Sequence, residues 1–248
     1  MSKPLLIARD LEVAFGGVKA ADGVNLTINE GEFVAIIGPN GSGKTTFLNL
    51  CTGYVRPVAG EVILRDMPIT SLPPRRIARQ GIARAFQIPQ LFTDQTVLEN
   101  VMLAIAAHRG IWQALNPLDR PDYRAEAMEL LDLLGLAEQA GTLAGTLPEG
   151  LRKLADVTVA MALQPMLLLL DEPTSGVSAL ERFQLMETLM TAMRSRGMTA
   201  LFVEHDMEIV EKYADRVVVW DSGQVLAEGA ADVVMKDPRV LERVVGME

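Results

Sequence analysis

Gly38-Pro39-Asn40-Gly41-Ser42-Gly43-Lys44-Thr45 fills every fixed position of the pattern G-x-x-x-x-G-K-[ST]. The residues before it, Phe33-Val34-Ala35-Ile36-Ile37, form the continuous apolar run of a strand buried on both faces. The residues after it, Phe47 to Cys51, continue as an apolar helix. Strand, glycine-rich loop and helix in that order are the context a phosphate-binding loop requires. Its glycines let backbone N–H groups turn inward around phosphate oxygens. The helix adds the positive end of its dipole. Lys44 supplies a point charge to β- and γ-phosphates, and Thr45 offers a hydroxyl to Mg²⁺. The whole stretch from Gly38 to Thr46 is thus a candidate nucleotide site.

A second apolar run, Leu167 to Leu170, ends in Asp171-Glu172-Pro173. Acids at the C-terminal end of a buried parallel strand sit where α/β sheets bind ligands. Asp171 can hold Mg²⁺, directly or through water, and Glu172 can polarise an attacking water. The plainer alternative is an acidic start to a helix.

Around these motifs the chain alternates. Leu5 to Val13 and Val24 to Ile28 read as strands. Thr96 and Glu99 form a capping box for a helix running to about His108. Gly110 to Pro121 reads as a loop containing Trp112. Asp122 is placed to cap a second helix, ended by Gly135. Thr199 to Val203 and Arg216 to Trp220 are buried-strand candidates, separated by helices near Leu180 to Arg194 and Met207 to Tyr213. Strands alternating with helices imply parallel pairing through crossovers. Asp221 to Gly223 reads as a hairpin turn.

Composition narrows the function. With 23 Lys+Arg against 32 Asp+Glu, the formal charge is -9, which excludes the basic face a nucleic-acid binder needs. Hydrophobic residues reach 49%, yet the run Met166 to Leu170 falls far short of the ~20 apolar residues of a membrane span. Apolar surface facing partner subunits is the alternative outlet. The single cysteine, Cys51, excludes an intramolecular disulfide framework, and the first residues do not read as a signal peptide. A cytosolic location is the expectation.

Glycine loop, leucine-rich strand with Asp-Glu-Pro, and Glu204-His205-Asp206 occur in that order. With Phe15-Gly16-Gly17, Ala85-Phe86-Gln87 and Thr96-Val97-Leu98-Glu99-Asn100-Val101, the chain resembles the ATP-binding cassette (ABC) ATPases along essentially its whole length. It looks most similar to cassettes of branched-chain amino acid importers, with amide and urea importers as relatives. The resemblance implies an α/β fold, with a P-loop NTPase core, an N-terminal antiparallel β subdomain and an α-helical insert. Residues 1–248 would form one cassette, with 1–87 and 151–248 as RecA-like core plus β subdomain and 88–150 as helical subdomain. It also implies ATP and Mg²⁺ as ligands, Phe15 stacking on adenine, Gln87 reaching Mg²⁺ and His205 contacting the γ-phosphate. The implied partners are a second cassette, two transmembrane permeases and a periplasmic substrate-binding protein, at the cytoplasmic face of the inner membrane.

Departures from the family pattern are concentrated in one place. The signature Leu-Ser-Gly-Gly-Gln aligns with Leu147-Pro148-Glu149-Gly150-Leu151. Gly150 survives where backbone can approach phosphate. Pro148 offers neither hydroxyl nor N–H, and Glu149 adds negative charge. In the family the signature acts on the partner's nucleotide. The expectation is therefore a heterodimer with one competent and one degenerate site. Arg152 and Lys153 compensating within a functional variant signature is the competing reading. A milder departure is Ser178, where the family commonly has Asp; Ser178 and Glu181 still form a capping box. A soluble cassette ATPase and a non-hydrolytic regulatory subunit are the alternative functions.

Overall fold

The computed structural model describes residues 3–110, 120–240 and 242–243. The expected loop around Trp112 lies largely outside the described residues. Packing divides the chain into two units, residues 1–77 with 198–248, and residues 78–197.

The first unit opens with β1 (Pro4–Phe15) and β2 (Val18–Asn29), followed by β3 (Phe33–Ile37), α1 (Lys44–Thr52), β4 (Ala59–Leu64) and β5 (Met67–Pro68). After α2 (Pro74–Arg79), the chain returns to this unit with β8 (Thr199–Val203), α7 (Met207–Tyr213), β9 (Arg216–Asp221), β10 (Gln224–Gly229), α8 (Ala231–Val234) and α9 (Pro238–Val240). One sheet is antiparallel, in the order β2-β1-β4-β5, and alternates buried and exposed residues over much of its length. The other strands of the unit run β10-β9-β3-β8. Within it β3 pairs parallel with both β8 and β9. All five residues of β3 are buried, as their unbroken apolar sequence requires, and so are all five of β8, where the one polar residue, Thr199, accepts from the Gly31 N–H at 2.9 Å. The predicted turn at Asp221 to Gly223 is present, with Ser222 and Gly223 both at positive φ (50° and 79°), as a tight β9–β10 hairpin demands.

The second unit contains β6 (Ile82–Ala85), α3 (Val97–His108), α4 (Pro121–Leu133), α5 (Glu149–Ala162), β7 (Leu167–Asp171) and α6 (Ala179–Ser195). β6 and β7 pair in parallel. The capping box that starts α3 is complete: Thr96 Oγ1 accepts from the Glu99 N–H, and the Thr96 N–H donates to Glu99 Oε2 at 2.7 Å. Helix α3 packs Val97, Val101 and Ile105 into a core shared with Ala127 and Leu131 of α4 and with α5. The start of α4 departs from expectation. Pro121 occupies the first turn and Arg120 the N-cap, so Asp122 lies inside the helix. Proline is preorganised for that place and lacks the N–H that would go unsatisfied there. Gly135, at φ 68°, ends the helix as expected.

Candidate functional site

In the first unit, β3 delivers the chain into the phosphate loop and α1 carries it away. Two glycines of the loop are dictated by close approach. A Cβ on Gly38 would meet the Trp220 carbonyl oxygen at 1.9 Å, and one on Gly43 would meet the Ala20 carbonyl oxygen at 2.1 Å. Gly41, at φ 75°, faces open space. Beneath them Trp220 is fully buried and packs on Phe47, with ring centroids 5.0 Å apart. Lys44 is buried and curls back over the loop, donating to the carbonyls of Gly38 at 2.7 Å and Pro39 at 2.8 Å. Ser42 Oγ is buried with no partner among the described residues. The start of α1 carries no side-chain cap and no acid in its first turn. An orphan hydroxyl, an ammonium and an uncapped helix start fit a polyphosphate.

His205 belongs to the same unit. β8 is the parallel neighbour of β3, with Val203 opposite Ile36, so both strands end at one edge. There Glu204 donates its N–H to the Ile36 carbonyl, and the exposed His205 follows. Phe15 ends β1 beside the Gly16-Gly17 turn with 52% of its surface exposed, which leaves an aromatic face open rather than packed in the core.

The second unit holds the acids. Asp171 ends β7, buried, and pairs with Arg84 of β6 at 2.5 Å; both side chains are almost wholly enclosed. Glu172 follows with φ 51°, a left-handed conformation that costs a non-glycine residue about 1 kcal/mol or more. Gln87, exposed after β6, donates from Nε2 to Glu172 Oε2 at 2.8 Å. The Glu172 carbonyl accepts from Lys153 Nζ at 2.9 Å and from the Ser175 N–H at 3.1 Å. Within this unit Gln87 and Asp171 carry hard oxygen donors of the kind Mg²⁺ selects.

Gly150 lies in the first turn of α5, not in a strained loop. A Cβ there would find only ordinary contacts, Val177 Cγ1 at 3.9 Å and Leu185 Cδ1 at 4.0 Å. Pro148 is the N-cap, with no side-chain cap bond, and Glu149 is in the first turn. Pro148, Gly150, Leu151, Gly176, Val177 and Leu185 line a cavity of about 430 Å³.

Two residues of this unit, Arg84 and Asp156, went unread in the sequence, and Lys153 was read only as part of a variant signature. Asp156 is buried and accepts from the N–H groups of Phe86 at 3.1 Å and Gln90 at 2.9 Å. Burial pushes its carboxyl up to about 6, against the pull of those two bonds and of Lys153. The available signal was a lysine and an aspartate three apart in a helix otherwise rich in Leu, Ala and Val.

This geometry defines a nucleotide-binding cassette, and residues 21–175 match the ABC transporter family. The chain belongs to that family and is one of its ATPase cassettes. It is 36% identical to the high-affinity branched-chain amino acid transport ATP-binding protein LivG of Escherichia coli (strain K12), over 257 residues and 99% of each chain. To BraF, the corresponding ATP-binding protein of Pseudomonas aeruginosa, it is 35% identical over 253 residues, again 99% of each chain. Among solved structures, the ADP conformation of the ABC transporter cassette MJ1267 matches with a TM-score of 0.86 at 31% identity, covering 100% of both chains. A post-hydrolysis dimer of the cassette MJ0796 bound to ADP and Pi matches at 0.78 and 27% identity, covering 92% of this chain and 99% of that one. Among the described residues no helix is long and apolar enough to cross a membrane.

Proposed function

We propose that this cassette hydrolyses ATP to drive import of branched-chain or related apolar amino acids, as one of a non-identical pair bound peripherally to two permeases at the cytoplasmic membrane face. A periplasmic binding protein would deliver substrate to the permeases. The observation that carries the ATPase reading is the phosphate loop, with Lys44 folded over it and Ser42 Oγ without a partner among the described residues. The full-length identity to LivG and BraF supports the substrate class.

In this reading Phe15 stacks on adenine. Backbone N–H groups from Gly38 to Thr46, including those of Asn40 and Gly41, hold the phosphates, with Lys44 on the β- and γ-oxygens. Thr45, Gln87 and Asp171 would hold Mg²⁺, which when bound draws charge from the phosphate oxygens. Glu172 takes a proton from the attacking water, Gln87 fixes the carboxylate that does so, and His205 stabilises charge on the departing γ-phosphate.

The pairing follows from α5. Its N-cap is Pro148 and its first turn carries Glu149, so this cassette offers a partner's ATP neither a serine hydroxyl nor an uncharged helix start. Gly150 has room for a methyl group within its own chain, so the glycine serves an approach from outside it. Each lost charge-assisted donor removes roughly 1.5–3 kcal/mol from a closed pair. A partner with an intact signature would complete the site built on Lys44 and Glu172. Ile88 and Phe92, 75% and 63% exposed beside Gln87, offer the permeases an apolar surface.

The test is affinity purification from gently solubilised membranes, followed by ATPase assays of the chain alone and with the recovered cassette. Copurifying permeases and a second cassette are expected, with faster turnover in the mixture. Equal turnover per site in both preparations overturns the asymmetric pair, and recovery of the chain only from the soluble fraction overturns the transport reading.

A further inference from the structure

The buried face of helix α5 is apolar apart from Thr158, whose hydroxyl donates to the Leu154 carbonyl of its own helix, and two charged residues, Lys153 and Asp156, which are 4% and 6% exposed. They lie one turn apart, and each is committed to the backbone of another segment. Lys153 Nζ donates to the Glu172 carbonyl at 2.9 Å. The two oxygens of Asp156 accept from the Phe86 N–H at 3.1 Å and the Gln90 N–H at 2.9 Å. Those N–H groups bracket Gln87, whose own amide meets the Glu172 carboxylate at 2.8 Å. One helix therefore holds both ends of the Gln87–Glu172 hydrogen bond.

We propose that Lys153 and Asp156 are positioning residues, a two-point clamp on α5 that sets the Gln87–Glu172 pair in register for hydrolysis. The inference rests on the reading of Glu172 as the base. Glu172 needs such support. It sits at φ 51°, a backbone state that persists only where surrounding contacts over-determine it. The loop that carries Gln87 contains Pro89, which has no N–H to give, so the carboxylate of Asp156 takes the donors on either side. Keeping a lysine and a carboxylate buried for packing alone is unfavourable, because apolar residues of similar volume would serve as well or better. The bonds they make, to two backbone segments that carry reacting groups, account for their presence. The clamp also lies within two turns of Gly150, so a contact at the start of α5 is felt at Glu172.

The test compares Asp156→Asn, Lys153→Met and Lys153→Arg with wild type and Glu172→Gln, in the full chain with its partner cassette. Asn keeps one acceptor but turns an amide donor toward the other N–H, so one tether is lost with little change in shape. Thermal melting, ATP affinity and turnover are read for each. Turnover should fall about 10- to 100-fold in Asp156→Asn and Lys153→Met, the scale of a misplacement of about 1 Å. ATP affinity should stay within about threefold of wild type, melting of Asp156→Asn should not drop, and Lys153→Arg should recover most of the turnover. Their combination should be little worse than the poorer single variant, because both act on one hydrogen bond. Unchanged turnover in both single variants overturns the clamp, and so does a fall in turnover that merely tracks lost ATP affinity or lost folded protein. If Glu172→Gln hydrolyses ATP at the wild-type rate, the reading of the base fails and takes the clamp with it. A dead Glu172→Gln beside an unaffected Asp156→Asn and Lys153→Met removes the clamp alone.

Discussion

Helices α1 and α5 both begin without a side-chain cap, and they treat the positive end of the helix in opposite ways. α1 has Gly43 at its N-cap and no acid in its first turn, so its open N–H groups suit an incoming anion. α5 has Pro148 at its N-cap and its own Glu149 in the first turn. One helix start is built to receive charge, and the other neutralises itself. The difference teaches that the residues beside a glycine, here Pro148 and Glu149 before Gly150, set the charge and the open donors at a helix start.

The sharpest way to break the contrast is at α1. Lys44→Ala removes the ammonium that folds over the loop, and ATP hydrolysis by the assembled pair should fall about 10²- to 10³-fold, measured by phosphate release.

The next effect lies at the other helix and is read through pH. The Asp156 carboxyl is raised from 3.8 to about 6 in the folded chain, so the folded state binds more protons than the unfolded state between those values. The associated stability is complete below the unfolded value and is lost as pH rises through the folded one. Wild type should lose about 2–2.5 kcal/mol relative to Asp156→Asn between pH 4 and pH 8, by urea unfolding at each pH. Parallel pH profiles for the two proteins would contradict this.

Converting α5 toward α1 is a smaller change. Pro148→Ser restores a cap and should stabilise the chain by about 1 kcal/mol in the same assay. In the asymmetric reading it also raises ATP turnover of the chain alone, by giving each copy a hydroxyl to offer the other. A stabilised protein with unchanged turnover would leave Glu149 as the dominant obstacle. The smallest effect is at Gly150. Gly150→Ala should stabilise the isolated chain by about 0.5–1 kcal/mol, because its Cβ has room and the helix prefers alanine. The same substitution should slow hydrolysis by the pair; faster or equal turnover would show that no partner approaches there.

Much of this was legible in the chain itself. The buried strands β3, β7 and β8 announced themselves as apolar runs, interrupted only at one end by Asp171 in β7 and Thr199 in β8, and the capping box at Thr96 and Glu99 was readable because both halves lie within four residues. Phosphate-loop residues were equally plain, since the pattern constrains residue type at each fixed position. The rest depends on pairing across sequence. Arg84 is 87 residues from Asp171 and Asp156 is 70 from Phe86, so nothing local distinguishes Arg84 or Asp156 from a solvated charge. β6 is only four residues long and offers too little periodicity to stand out beside the run that follows it. The start of α4 went to Pro121 rather than Asp122 because two good helix-starting residues adjoin, and only packing chooses between them.

Trp220 has a consequence of another kind. It is one of two tryptophans in the chain, it lies under the phosphate loop, and its indole N–H is buried with no partner among the described residues. A Cβ on Gly43 would stand 3.0 Å from that nitrogen, so the loop and the indole touch. The molecule thus carries its own optical probe: an ultraviolet emitter set against the backbone that closes around nucleotide. In a Trp112→Phe background, its emission would follow loading and release of nucleotide in real time, without a label.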